Sequence, residues 1–257
     1  MQYIVLNVVI IMSPLPDGTI TYTVKRFDTL RQLAINHKTT VSAIAELNPG
    51  MDPQRLEVGQ TISILPGRQR WRRAGISAAE LELNNHIRSL WEQHVFWTRL
   101  TIISMVHDLP DVRLVTNRLL RNPIDFQMVL EPLYGRRIAG MFAALLTDHL
   151  VIAAELVDAA IKGDTARAAD AERRWYVNAD KIAAFLAKIN PHWSEEEWRA
   201  MLHEHLALTK SEAVDEISGN FAASIAIFDQ IEAQALEMAD LMVKGIVEQF
   251  PSRFRGR

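Results

Sequence analysis

Three histidines and three aspartates carry the most informative spacing in this chain. The histidines occur as Gln93-His94-Val95, Asp148-His149-Leu150 and Glu204-His205-Leu206, a faint internal repeat. Aspartates follow at Asp125, Asp180 and Asp229, and the midpoints of the His–Asp pairs fall near residues 110, 164 and 217. Each midpoint is a turn signal. In a helix hairpin folded back there, each imidazole stands level with its aspartate. The same-face neighbours of His94 are Leu90, Trp91, Trp97 and Thr98, and those of His149 are Leu145, Leu146, Ile152 and Ala153. Around His205 they are Met201, Leu202, Leu208 and Thr209. All three rings therefore point into a bundle, where a buried imidazole needs a partner for its N–H.

Two chemistries fit that pattern. In one, each His–Asp pair (or His–Asn pair, through Asn122 and Asn178) is a buried polar tie that fixes hairpin register. In the other, His94, His149 and His205 gather around zinc or iron, with Asp125, Asp180 and Asp229 as ligands or as partners behind them. The Glu-x-x-His signature of di-iron bundles is absent. A His–Asp acid–base site is a third arrangement, but no nucleophile stands beside a pair in the sequence, so no catalytic residue is assigned. His203 and Glu204 lie on other faces of the same helix.

The elements that must position these side chains are helices. Helical periodicity with intervening Pro and Gly predicts segments at about 78–107, 111–130, 135–162, 165–189, 194–217 and 220–249. These make an antiparallel bundle of six helices in three hairpins, so the chain is mainly α. Ser77 and Glu80 stand at capping-box spacing. Trp91, Trp97, Trp175, Trp193 and Trp198 read as core and junction fillers. Arg99, Arg118, Arg121, Arg136 and Arg137 read as solvated faces.

Composition narrows the classes further. A net charge of −3 over 257 residues gives no general attraction to nucleic acid or to an anionic membrane. The absence of cysteine excludes disulfides, thiolate catalysis and Cys-type zinc sites. The apolar run Tyr3–Met12 is β-branched and too short to span a bilayer, and it reads as a strand. No Lys or Arg precedes it, so it lacks the flank of an export signal. As an exposed edge it would pair within the fold or with a second copy of the chain.

Between that run and the helices lies a small βααβ pattern. Thr21-Tyr-Thr-Val-Lys25 is a strand, Asp28-Thr29 opens a helix, and Thr39 or Thr40 caps a second one ending at Asn48-Pro49-Gly50. Leu56, Val58, Thr61, Ile62 and Ile64 make the closing strand. In order and spacing, residues of about 21–66 resemble a LysM domain. The matching elements are Tyr-Thr-Val, Asp-Thr-Leu, Asn48-Pro49, Leu56-x-Val58-Gly59-Gln60 and Ile62-x-Ile64. The resemblance implies binding of an N-acetylglucosamine polymer such as peptidoglycan or chitin. It places the groove between Phe27, Asp28, Thr29 and Leu30 on one side and Asn48, Pro49, Gly50, Met51 and Asp52 on the other. Phe27 departs from the small residue usual there, and His37 from the usual aromatic.

The stretches LWEQHVFWTR, RLLRNPIDF, WYVNADKIAAFL and GIVEQFP resemble an uncharacterised bacterial helical domain, over about residues 85–254. Some of its members carry an acetylglutamate kinase label. These residues do not support that label, since such a kinase needs a parallel sheet and glycine-rich phosphate loops.

The expected organisation is an apolar N-terminal strand (1–20), the LysM module (21–66) and a basic linker (67–77). The helical bundle (78–250) and a basic tail (251–257) follow. The expectation for function is a peptidoglycan-binding protein of the cell envelope, cell surface or spore layer, with a structural or metal-binding bundle. The alternatives are a LysM-targeted metal-dependent enzyme, a self-assembling surface or filament protein built on the N-terminal strand, and a cytoplasmic location. The expected partners are the glycan and a second copy of the chain, with no nucleic acid and no transmembrane segment.

Overall fold

A computed structural model describes residues 15–25, 28–37, 39–51, 56–66 and 76–254. The expected N-terminal strand, Phe27, Asp52, most of the basic linker and the last residues of the tail lie outside them. The chain divides between Gly75 and Ile76 into two compact units.

In the first unit, β1 (Ile20–Thr23) pairs antiparallel with β2 (Thr61–Ile64), with Tyr22 opposite Ile62. Two helices, α1 (Leu30–Asn36) and α2 (Val41–Leu47), connect them. Alternation along β2 buries Ile62 and Ile64, which pack with Val24, Leu30, Leu33 and Ile44 into a small core. Thr40 caps α2 by accepting from the Ala43 amide. The strands are shorter than the β-branched runs suggested, because only four residues of each find partners.

The second unit is all helix: α3 (Ala78–Val106), α4 (Val112–Leu119), α5 (Asn122–Ile161), α6 (Thr165–Ile189), α7 (Glu195–Ile217), α8 (Phe221–Gln249) and the short α9 (Pro251–Phe254). Gly135 interrupts α5 with φ 79 and ψ 157, three residues after Pro132. The arm 122–134 therefore folds back on α3 together with α4, while the arm 136–161 pairs with α6. Helices α7 and α8 form the third hairpin. Because α3 also packs on α8 and α6 on α7, the three hairpins enclose one core.

The three turns are built alike. Asp108, Gly163 and Gly219 adopt left-handed backbone (φ 48, 68 and 74), at positions 55 and 56 residues apart. After each, an amide reaches back five residues: Leu109 to Ser104, Asp164 to Ala159 and Asn220 to Asp215, at 2.9, 3.0 and 2.8 Å. This satisfies the last carbonyls of each helix in the same way three times. Asp108 is the non-glycine member, tolerated because Asp and Asn enter this region more readily than bulkier residues.

Around the core, Trp91 meets Phe126 edge-on, Phe126 meets Phe142, and Trp198 stacks on Trp91. Although the segment 112–161 is long and apolar enough to cross a membrane by composition, it contributes Phe126, Leu130, Phe142 and Leu146 to this core.

Candidate functional site

The bundle brings His94, His149 and His205 together at its centre. All three are at most 3% exposed, and their ring centroids lie 5.8, 6.2 and 6.5 Å apart. One ring nitrogen of each lies within 4.8 Å of one from each of the others. Each histidine sits on the first helix of its hairpin, so the threefold repeat in sequence becomes a threefold layer in space.

The partner of each ring is a carboxamide. Nδ1 of His94 faces Asn122 Oδ1 at 3.1 Å, Nδ1 of His149 faces Asn178 Oδ1 at 3.1 Å, and Nδ1 of His205 faces Gln234 Oε1 at 3.2 Å. The other end of each amide donates to a backbone carbonyl one turn before the histidine: Leu90, Leu145 and Met201, at 2.9, 3.1 and 2.7 Å. A backbone carbonyl can only accept, so each amide must point its oxygen at the ring. Nδ1 therefore carries the proton and Nε2 holds a lone pair. With Nδ1 engaged, Nε2 is the nitrogen left to face the centre.

Burial pushes the His94 imidazole down to about 4. Burial, with the neighbouring His94 adding to it, pushes His149 down to about 3. Burial first, then His94 and His149, holds His205 well below the usual range. The layer is thus three neutral rings, one nitrogen of each within 4.8 Å of one from each of the others.

The expected aspartates are elsewhere, and this corrects the sequence reading. Asp125 pairs with Arg121 one turn back, Asp180 accepts from His203 and Arg199, and Asp229 is exposed. The reason is desolvation. A buried carboxylate costs far more than a neutral amide beside a neutral ring, so the acids stay where water and surface cations solvate them. Gln234 was missed, yet it is readable: 122, 178 and 234 are each 56 residues apart.

In the small unit, Asp28 Oδ2 accepts from Tyr22 Oη at 2.9 Å and from the Lys25 amide at 2.7 Å, holding the strand–helix loop. The N-cap of α1 is Thr29, which accepts from the Gln32 amide. Asn48 ties α2 to β2: its Nδ2 donates to Ile44 O and Ser63 O, both at 2.7 Å, and its Oδ1 accepts from Ser63 N at 2.8 Å. Leu30 is buried, Met51 packs half-buried on the same core, and Pro49 and Gly50 are exposed, Gly50 with φ 93. Tyr22 and His37 meet edge-on, so His37 fills the aromatic position as a ring.

The LysM family model matches residues 22–65. This segment is a LysM domain. It indicates carbohydrate binding of the peptidoglycan or chitin type, and such domains typically occur in extracellular or cell-envelope proteins. No curated protein and no solved structure matches the chain. The helical unit beyond the LysM domain has no family match.

Proposed function

We propose that the protein is a glycan-anchored metal protein of the cell envelope. The LysM domain holds an N-acetylglucosamine polymer, and the helical unit binds a divalent transition metal on Nε2 of His94, His149 and His205. The single observation that supports the metal reading is the convergence of three buried ring nitrogens, each locked as a lone-pair donor by an amide behind it. Three nitrogens on a triangle with 4.8 Å sides each lie about 2.8 Å from its centre, so ring movements of under about 1 Å reach zinc–nitrogen distances. Among the described residues no carboxylate joins the group. An all-imidazole set favours zinc over iron, whose open sites usually include a carboxylate.

On the LysM side, the polar side chains of Asp28, Thr29 and Asn48 are occupied in holding the loops. Their contribution to a glycan is to shape the groove, while backbone amides and the exposed Pro49-Gly50 corner meet the sugar. Two measurements test the proposal. Elemental analysis of the purified full chain should give one metal per chain, lost in His149→Ala. Retention on peptidoglycan should be lost when residues 21–66 are deleted. A metal-free protein that takes up no zinc, or undiminished retention of the deleted form, would overturn the corresponding half.

A further inference from the structure

The two sides of the histidine layer differ in the size of what covers them. One turn toward the helix N-termini stand Trp91, Leu146 and Leu202, with Trp198 stacked on Trp91. One turn toward the C-termini stand Thr98, Ala153 and Thr209, the residues four after each histidine. These three small side chains line a cavity of about 310 Å³ that continues to the turn end of the bundle. Its walls are mostly apolar, including Ile102, Leu150, Leu156 and Val157, with the Lys210–Glu172 ion pair also lining it and the histidines one turn beyond. Three polar groups that line it have no partner among the described residues: the hydroxyls of Thr101 and Thr209 and the indole N–H of Trp175, on residues no more than 4% exposed. Trp175 also packs on the His149 ring, with centroids 5.3 Å apart.

We propose that this cavity is a chamber for a small carboxylate with an apolar tail, whose head takes the open coordination position of the three-histidine centre. The inference rests on the metal reading above. Three neutral imidazoles backed by three neutral amides leave a divalent cation with its charge unbalanced, so an anion is the complementary fourth ligand. Of these donors, Thr209 stands one turn past His205 and the Trp175 indole packs on the His149 ring, so both suit acceptor oxygens of the head. The apolar walls suit a hydrocarbon chain. At about 30 Å³ per small group the cavity holds on the order of ten heavy atoms, the size of octanoate.

The test uses the full chain loaded with cobalt(II), whose visible absorption reports its ligands. Octanoate should shift the cobalt bands. Each buried methylene gives about fourfold in affinity, so octanoate should act at concentrations at least about 100-fold lower than acetate. Ala153→Phe, which fills the chamber, should keep the cobalt spectrum and lose the octanoate response. Should that variant fail to fold, the acetate–octanoate ratio on the unaltered chain decides the matter. A chain that binds no cobalt would overturn the metal centre itself. A normal cobalt spectrum that octanoate leaves unmoved, or that acetate shifts equally well, would overturn the chamber alone.

Discussion

Acid should melt the metal-free bundle well before it melts an ordinary helical domain. In the fold His94 titrates at about 4 and His149 at about 3, against 6.5 when unfolded. The native state thus refuses protons that the unfolded chain accepts. The stability due to these neutral rings is complete above pH 6.5 and drains away as pH falls through 6.5 toward 4 and 3. Together the shifts amount to several kcal/mol, with His205 adding in the same direction. That sum is comparable to the whole stability of a typical domain, about 5–15 kcal/mol. Circular dichroism of the full chain in chelator, followed from pH 7 to pH 3, should show helix loss centred between pH 5 and 4. His149→Leu keeps the volume and deletes one proton-binding group, so its midpoint should move to lower pH with about one proton fewer taken up. Retained helix at pH 3 in the unaltered chain, or identical midpoints in both proteins, would refute the burial argument.

Other perturbations follow from individual contacts. Asn178→Leu leaves the His149 Nδ1–H and the Leu145 carbonyl unpartnered, costing about 2–5 kcal/mol. It should lower the melting temperature and weaken zinc about 10- to 100-fold by competition with a chelating dye. Gly245→Ala would set a methyl 2.0 Å from Trp193 Nε1 and 2.4 Å from its Cδ1, against a ring 3% exposed. The indole must move and lose its bond to Leu241 O, so destabilisation of about 1–3 kcal/mol and a shifted tryptophan emission are expected. Asn48→Ala removes two hydrogen bonds between α2 and β2 and one back to Ile44 O within α2, and deuterium uptake should rise at residues 61–64 while that of 76–254 stays unchanged.

The parts of this architecture that follow local rules were readable in the residues. Helix periodicity with Asp108, Gly163 and Gly219 at the breaks located the hairpins, because a left-handed turn residue is a local requirement. The inward direction of His94, His149 and His205 followed from their apolar neighbours. The aspartate partners failed, whereas the alternative through Asn122 and Asn178 held and only Gln234 went unread. Charge complementarity points an imidazole to an acid, but in the centre of a bundle the desolvation of that acid dominates, and Asn122, Asn178 and Gln234 stand there instead. Within the Asp28-Thr29 pair it is Thr29 that caps α1, since the helix begins at Leu30 and the loop needs Asp28 for Tyr22 and Lys25. The cavity was not read from the sequence, although Thr98, Ala153 and Thr209 each stand four residues after a histidine on the same face. It depends on these three reaching one level together.

Because the three histidines come from three different hairpins, no contiguous fragment shorter than residues 94–205 contains them all, and the last supporting amide arrives only at Gln234. A nascent chain stopped before α8 would present two clamped rings and one loose one. If the layer takes metal as proposed, its capture would serve as a quality mark, acquired only once all three hairpins have been made and closed.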